Sequence, residues 1–182
     1  MTDHLHAQSI LGTNHGLQKT GSAVATSKAN EARRLNVEID KTRAIYEGMR
    51  EYQHQLLANK LQADLSISKE DASVLFDDIK RFIAMCTSTS QPLAPPRSID
   101  LAWHQFILMT KDYRSFCNDY CGRFIHHLPA DPFEARRDFV DARQQTRLIA
   151  KAVYGQLSDN WAETLSDGQC THNCGGGDCD GE

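Results

Sequence analysis

From Asn30 to Gln62 the chain runs without a proline or a turn cluster, and its one glycine there is Gly48. Leu35, Ile39, Ile45, Met49, Leu56 and Leu61 recur along it at roughly helical spacing, the pattern of a helix that buries one stripe. This predicts one long helix, kinked or broken near Gly48, with its stripe turned to a core or to a second copy. Thr42 and Gln53 interrupt any strict coiled-coil seam. A segment of this kind commits the fold to helices, and the chain beyond it keeps the pattern. Ser68 with Asp71 three residues on is a cap-and-acid start signal. Val74, Leu75, Asp78, Ile79, Phe82, Ile83 and Cys86 then keep the helical period to about Thr87.

A loop of serines, threonines and three prolines separates this from the next helix, with Ser98 as its cap and Asp100 in its first turn. Leu101, Ala102, Phe106, Ile107 and Leu108 make that helix apolar nearly all round, which suits a central position. Thr110 is placed to restart or bend it, with Tyr113, Phe116, Cys117 and Tyr120 on the buried side and Gly122 just beyond the end. Arg123 to Leu128 reads as extended, which sends His126 and His127 to opposite sides. Asp131-Pro132-Phe133-Glu134 starts a last long helix that Gly155 ends after Tyr154, with one short amphipathic helix around Trp161 and Leu165. The expected fold is all-α, a single compact domain of about five helices over residues 29–166. It has a flexible arm at 1–28 and a Gly/Cys-rich tail at 167–182.

Composition narrows the function classes. With 40% hydrophobic residues and a net charge of −4 the chain is ordinary globular material rather than a nucleic-acid binder. The N-terminal residues carry no basic stretch followed by an apolar one, and no run is long and apolar enough for a membrane span. The expected compartment is therefore cytoplasmic, where the six cysteines are metal ligands or buried thiols rather than disulfides. No P-loop, dinucleotide fingerprint, nucleophile elbow or zincin motif is present. His4, His6 and His15 are loosely spaced and read as part of a solvated arm.

The densest chemistry lies between Pro92 and Pro129. Asp100 and His104 are four apart, so on a helix they share a face. Cys117 and Cys121 are also four apart, and His127 comes after them on the extended piece. A bend near Thr110 brings Cys117 back towards His104. The set Asp100, His104, Cys117 and His127 would then pin three pieces of backbone with one ion, zinc by preference and iron as the alternative. The competing arrangement is a hydrogen-bond network without metal, with Cys117 simply buried. In the tail, Cys170, His172, Cys174 and Cys179 form a possible second metal site for zinc or Cu(I).

The run IDLAWHQFILMTKDYRSFC, continued by GRFIHHLP, resembles the core signature of the glycine-rich domain-containing protein-like family. That signature is Asp, a gap, Trp-His, then Tyr-x-x-Phe-Cys, then Gly-x-Phe-x-x-His. It falls here on Asp100, Trp103-His104, Tyr113, Phe116-Cys117, Gly122, Phe124 and His127. The resemblance implies a short helical protein, some of whose bacterial relatives carry Gly/Cys-rich tails, and it leans the site towards metal.

Three functions compete on this reading. One is a zinc-binding helical protein, whose site the sequence leaves open as structural or catalytic. The second is a non-enzymatic protein-interaction module with no metal. The third is a leader-plus-core substrate whose Cys-rich tail is modified or metal-loaded. The expected partners are another protein or a second copy through the long N-terminal helix, with no nucleic acid and no membrane.

Overall fold

The computed structural model describes residues 18–129, 136–162 and 172–173. Among them the chain is all-α, with helices α1 (Gln18–Met49), α2 (Gln55–Leu65), α3 (Lys69–Ser88), α4 (Arg97–Leu108), α5 (Thr110–Phe116) and α6 (Arg136–Tyr154). A π-helical turn, Cys117–Cys121, continues α5, and a 3-10 turn, Asp159–Trp161, comes after α6. Extended pairing among the described residues is confined to β1 (Leu128–Pro129), antiparallel to β2 (His172–Asn173). No described helix is long and apolar enough to cross a membrane.

The chain divides into two units after Asn36, and α1 runs through the boundary. In the first unit α1 begins at Gln18, inside the stretch expected to be an arm, and its residues 30–36 are exposed, Leu35 among them. The second unit, from Val37 onward, holds the buried core.

The single helix expected from Asn30 to Gln62 is two, and the described residues form six α-helices where about five were expected. It falls just past Gly48, over residues 50–54. Tertiary packing supplies the reason. Tyr52 leaves the helical path and sets its ring among Phe76, Phe106, Phe116 and Tyr120, with centroids 4.9 to 6.3 Å away. The chain end of α1 is satisfied by Lys80, a buried lysine whose Nζ donates to the Arg50 carbonyl. The start of α2 is satisfied by His54, whose Nδ1 accepts from the Leu57 N–H at 3.0 Å.

Helix α3 is the hub, packed against α2, α4 and α6. Ser68 caps it as expected, accepting from the Asp71 N–H at 3.0 Å and donating its hydroxyl to the Asp71 carboxylate at 2.7 Å. It buries Leu75, Phe76, Ile79, Phe82, Ile83, Met85 and Cys86. Helix α4 starts at Arg97, one residue before the expected cap. Pro96 occupies the cap position with no side-chain bond, so Ser98 lies inside the first turn. The bend expected at Thr110 falls on Met109, whose φ of −83° and ψ of 58° separate α4 from α5. Helix α6 is tied in by the Tyr154 hydroxyl on the Arg81 carbonyl at 2.9 Å and by the Ala94 N–H on Thr146 Oγ1 at 2.9 Å.

The short amphipathic helix expected after Ser158 reduces, within the described residues, to the Asp159–Trp161 turn. Its anchor is Asp78, a carboxylate only 1% exposed on the apolar face of α3. Asp78 accepts from Ser158 Oγ at 2.5 Å, Asn160 Nδ2 at 2.9 Å and Trp161 Nε1 at 2.8 Å. A buried carboxylate is costly unless its oxygens are occupied, and here three donors occupy them. Replacing Asp78 with Ala strands the buried Trp161 N–H. The expected loss is about 3 kcal/mol in urea unfolding; a loss near zero would show that the turn is held by packing alone.

Candidate metal centre

Asp100 and His104 stand one turn apart on α4, so their side chains leave the same face. His127 reaches that face from the extended segment after the π turn. The reversal that brings it there is made at Gly122, whose φ of +68° is the left-handed conformation that ends the turn. A Cβ at Gly122 would meet nothing within 4 Å, so backbone angle rather than space asks for glycine. His126 is exposed and His127 half-buried, the opposite-sided arrangement expected of an extended pair.

A buried hydrogen-bond chain sets the distance between the two supports. Trp103 Nε1 donates to the Tyr113 hydroxyl at 3.1 Å, and Tyr113 donates onward to the Ile125 carbonyl at 2.7 Å. Trp103 precedes His104, and Ile125 lies two residues before His127. The Trp103 ring also packs on the His127 ring at 4.8 Å between centroids. Burial pushes the Tyr113 hydroxyl far above the usual phenol range, which keeps it a donor.

These supports converge three donor atoms. His127 Nε2 lies 3.0 Å from Asp100 Oδ1 and 2.9 Å from His104 Nε2, while His104 Nε2 lies 3.9 Å from Asp100 Oδ1. Asp100 forms the floor with its side chain 2% exposed, His127 is 10% exposed, and His104 at 34% opens the site to solvent. Burial lowers the His104 pKa and the neighbouring His127 lowers it further, against the opposing pull of Asp100. His104 therefore favours the neutral imidazole, the form that can donate a lone pair to an ion.

Cys117, expected as the fourth ligand, does not belong to this group of three. It opens the π turn, is fully buried, and its sulfur is engaged by Cys121, Tyr113 and the backbone at Ile125. The bend at Met109 is present, and Cys117 bonds to Cys121 within the same π turn. Cys121 holds its proton, its thiol raised chiefly by the bond to Cys117, and the donated hydrogen bond draws the Cys117 thiol down to about 7. The i,i+4 spacing of the two cysteines signalled a shared face; nothing in it signalled a π turn. Of the possible tail site, Cys170, Cys174 and Cys179 lie outside the described residues, and of His172 only the backbone pairing with Pro129 is described.

A family model described as UCP032817-like matches residues 31–151. The match takes in Asp100, His104 and His127 and stops short of the tail cysteines. Its description is not that of the glycine-rich domain-containing protein-like family which the signature resembles. No curated protein and no solved structure matches the chain.

Two measurements check this architecture. Tyr113→Phe strips both the Trp103 N–H and the Ile125 carbonyl of their buried partner, and the expected cost is about 2 kcal/mol in chemical unfolding. Cys121→Ala removes the donor to Cys117, so the Cys117 titration should move upward from about 7, read as thiolate absorbance against pH. An unmoved titration would mean that Cys121 does not set it.

Proposed function

This chain belongs to the UCP032817-like family, and we propose that it is a metal-binding helical protein whose ion, zinc by preference, is held by Asp100, His104 and His127. The observation that carries the reading is the position of one atom. His127 Nε2 faces both Asp100 Oδ1 and His104 Nε2 within 3.0 Å. A ring nitrogen holds at most one proton. With that proton, it can donate squarely to only one of its two neighbours. Without it, it accepts from His104 and turns a lone pair on the Asp100 carboxylate. A cation between the three atoms removes the conflict, because all three then point lone pairs at one positive charge.

The spacing supports the same conclusion. Tetrahedral zinc with bonds near 2.0–2.1 Å sets its nitrogen and oxygen ligands about 3.3 Å apart. The three separations here, 2.9, 3.0 and 3.9 Å, bracket that value. Two imidazoles and a carboxylate also suit iron(II). Three protein ligands leave a fourth position, where a bound ion would acidify water. On this reading the resemblance to the glycine-rich domain-containing protein-like family is a second pointer to the same signature residues.

The test is elemental analysis of the purified full chain beside single variants. We expect about one equivalent of zinc in the unmutated protein and less than about a tenth in His104→Ala and His127→Ala, with the melting temperature lower by several degrees in each. Cys117→Ser should keep its metal. An unmutated chain with less than about a tenth of an equivalent of any transition metal after mild purification returns the site to a hydrogen-bond network.

A further inference from the structure

Cys117 and Cys121 are the first and last residues of the π turn that continues α5. A turn closed by i→i+5 bonds is wider and flatter than an α turn, so positions four apart stand nearly one above the other along its axis. The two sulfurs are hydrogen-bonded to each other. A disulfide needs Cα atoms within about 7 Å and side chains that converge, and the S–H···S bond shows that these two do. Their access to solvent differs: Cys117 is fully buried and Cys121 is partly exposed. Their surroundings differ as well. The Tyr113 hydroxyl and the backbone at Ile125 engage the Cys117 sulfur, whereas Cys121 has the Thr87 side chain and the Arg123 guanidinium beside it. Arg123 is held in place by donating to the Cys86 carbonyl at 2.8 Å. The metal centre uses neither sulfur.

We propose that Cys117 and Cys121 form a redox-active dithiol, which a small-molecule disulfide oxidises through Cys121 and which Cys117 then closes. The donors around Cys117 hold its thiol down to about 7, so near neutral pH the two sulfurs share a single proton. When that proton passes along the S–H···S bond, the charge moves to Cys121, the sulfur that solvent reaches, where Arg123 balances it. The Cys121 thiolate attacks one sulfur of the external disulfide. A Cys121–sulfur bond forms, the external S–S bond breaks and a first thiolate leaves. Cys117 gives up its proton and attacks the Cys121 sulfur. The Cys117–Cys121 bond forms, the mixed disulfide breaks, and the second thiol departs with that proton. The dithiol has lost two electrons and the external disulfide has gained them. The donors that lower the Cys117 thiol also stabilise the reduced pair, which keeps the bond open to reduction again. None of this depends on an ion at Asp100, His104 and His127.

Trypsin cuts after Arg114 and Arg123, so one peptide, residues 115–123, carries these two cysteines and no other. Folded full-length protein is incubated with glutathione disulfide, quenched in acid, alkylated after denaturation, digested and weighed. The peptide should be two hydrogen masses lighter than its reduced form and carry no alkyl group, and excess reduced glutathione should restore both thiols. In Cys117→Ser, glutathione should stay attached to Cys121. In Cys121→Ser, Cys117 should take up none. If the unmutated peptide keeps both thiols, retains glutathione, or is joined through Cys121 to another cysteine of the chain, the proposal is overturned. Glutathione on Cys117 in Cys121→Ser overturns it too, because the buried sulfur is then the point of entry. Should Cys117→Ser fail to fold, the peptide from the unmutated chain decides the matter by itself.

Discussion

The relay from the Trp103 indole through the Tyr113 hydroxyl to the Ile125 carbonyl ties together three pieces of backbone across the apolar core. Each of its polar groups is buried, and each would be expensive to leave unmatched. Helix α4 cannot slide along α5 without breaking the first bond, and the extended segment cannot lift without breaking the second. Because Trp103 adjoins His104 and Ile125 lies near His127, the same relay that stabilises the core also fixes the separation of the two imidazoles. The surrounding rings of Phe82, Phe106 and Phe124 stack on Trp103 and Tyr113 edge to face and hold them in one orientation.

Asp100 is all but excluded from water, and a buried charge needs a counter-charge or a full set of donors. His127 Nε2 stands 3.0 Å and His104 Nε2 3.9 Å from its Oδ1. A divalent ion bound as proposed would add positive charge beside the carboxylate. It would also clip His104 to His127 across 23 residues of chain, and closing a loop of that length removes conformational freedom from the unfolded state.

How far the sequence could be read depends on the kind of signal. Local rules reached most of the helices. The Ser68–Asp71 cap, the left-handed Gly122 and Gly155, and the burial of Cys86 are decided within a few residues, and each sits where its neighbours require. The shared face of Asp100 and His104, and the split between His126 and His127, come from period alone. Other features need the third dimension. The break at 50–54 is made by Tyr52 seeking an aromatic cluster contributed by α3, α4 and the α5 end, which no local propensity shows. Asp78 reads as a polar intrusion in an apolar stripe until Ser158, Asn160 and Trp161 return to it from 80 residues or more away. Cys117 has the right chemistry for a ligand but is not in the group of three, and its sulfur is engaged by Cys121 and Tyr113, neither of which the spacing shows.

The two tryptophans of the chain are held in contrasting ways. Trp161 is locked to the Asp78 carboxylate, while Trp103 lies against the ring of His127. Imidazole quenches a neighbouring indole more strongly when it is protonated, and a paramagnetic ion on that imidazole would quench it again. Were the proposed ion bound, the two indoles would therefore differ as optical reporters: one lies against a ring of the centre, and the other is fixed to a carboxylate on α3.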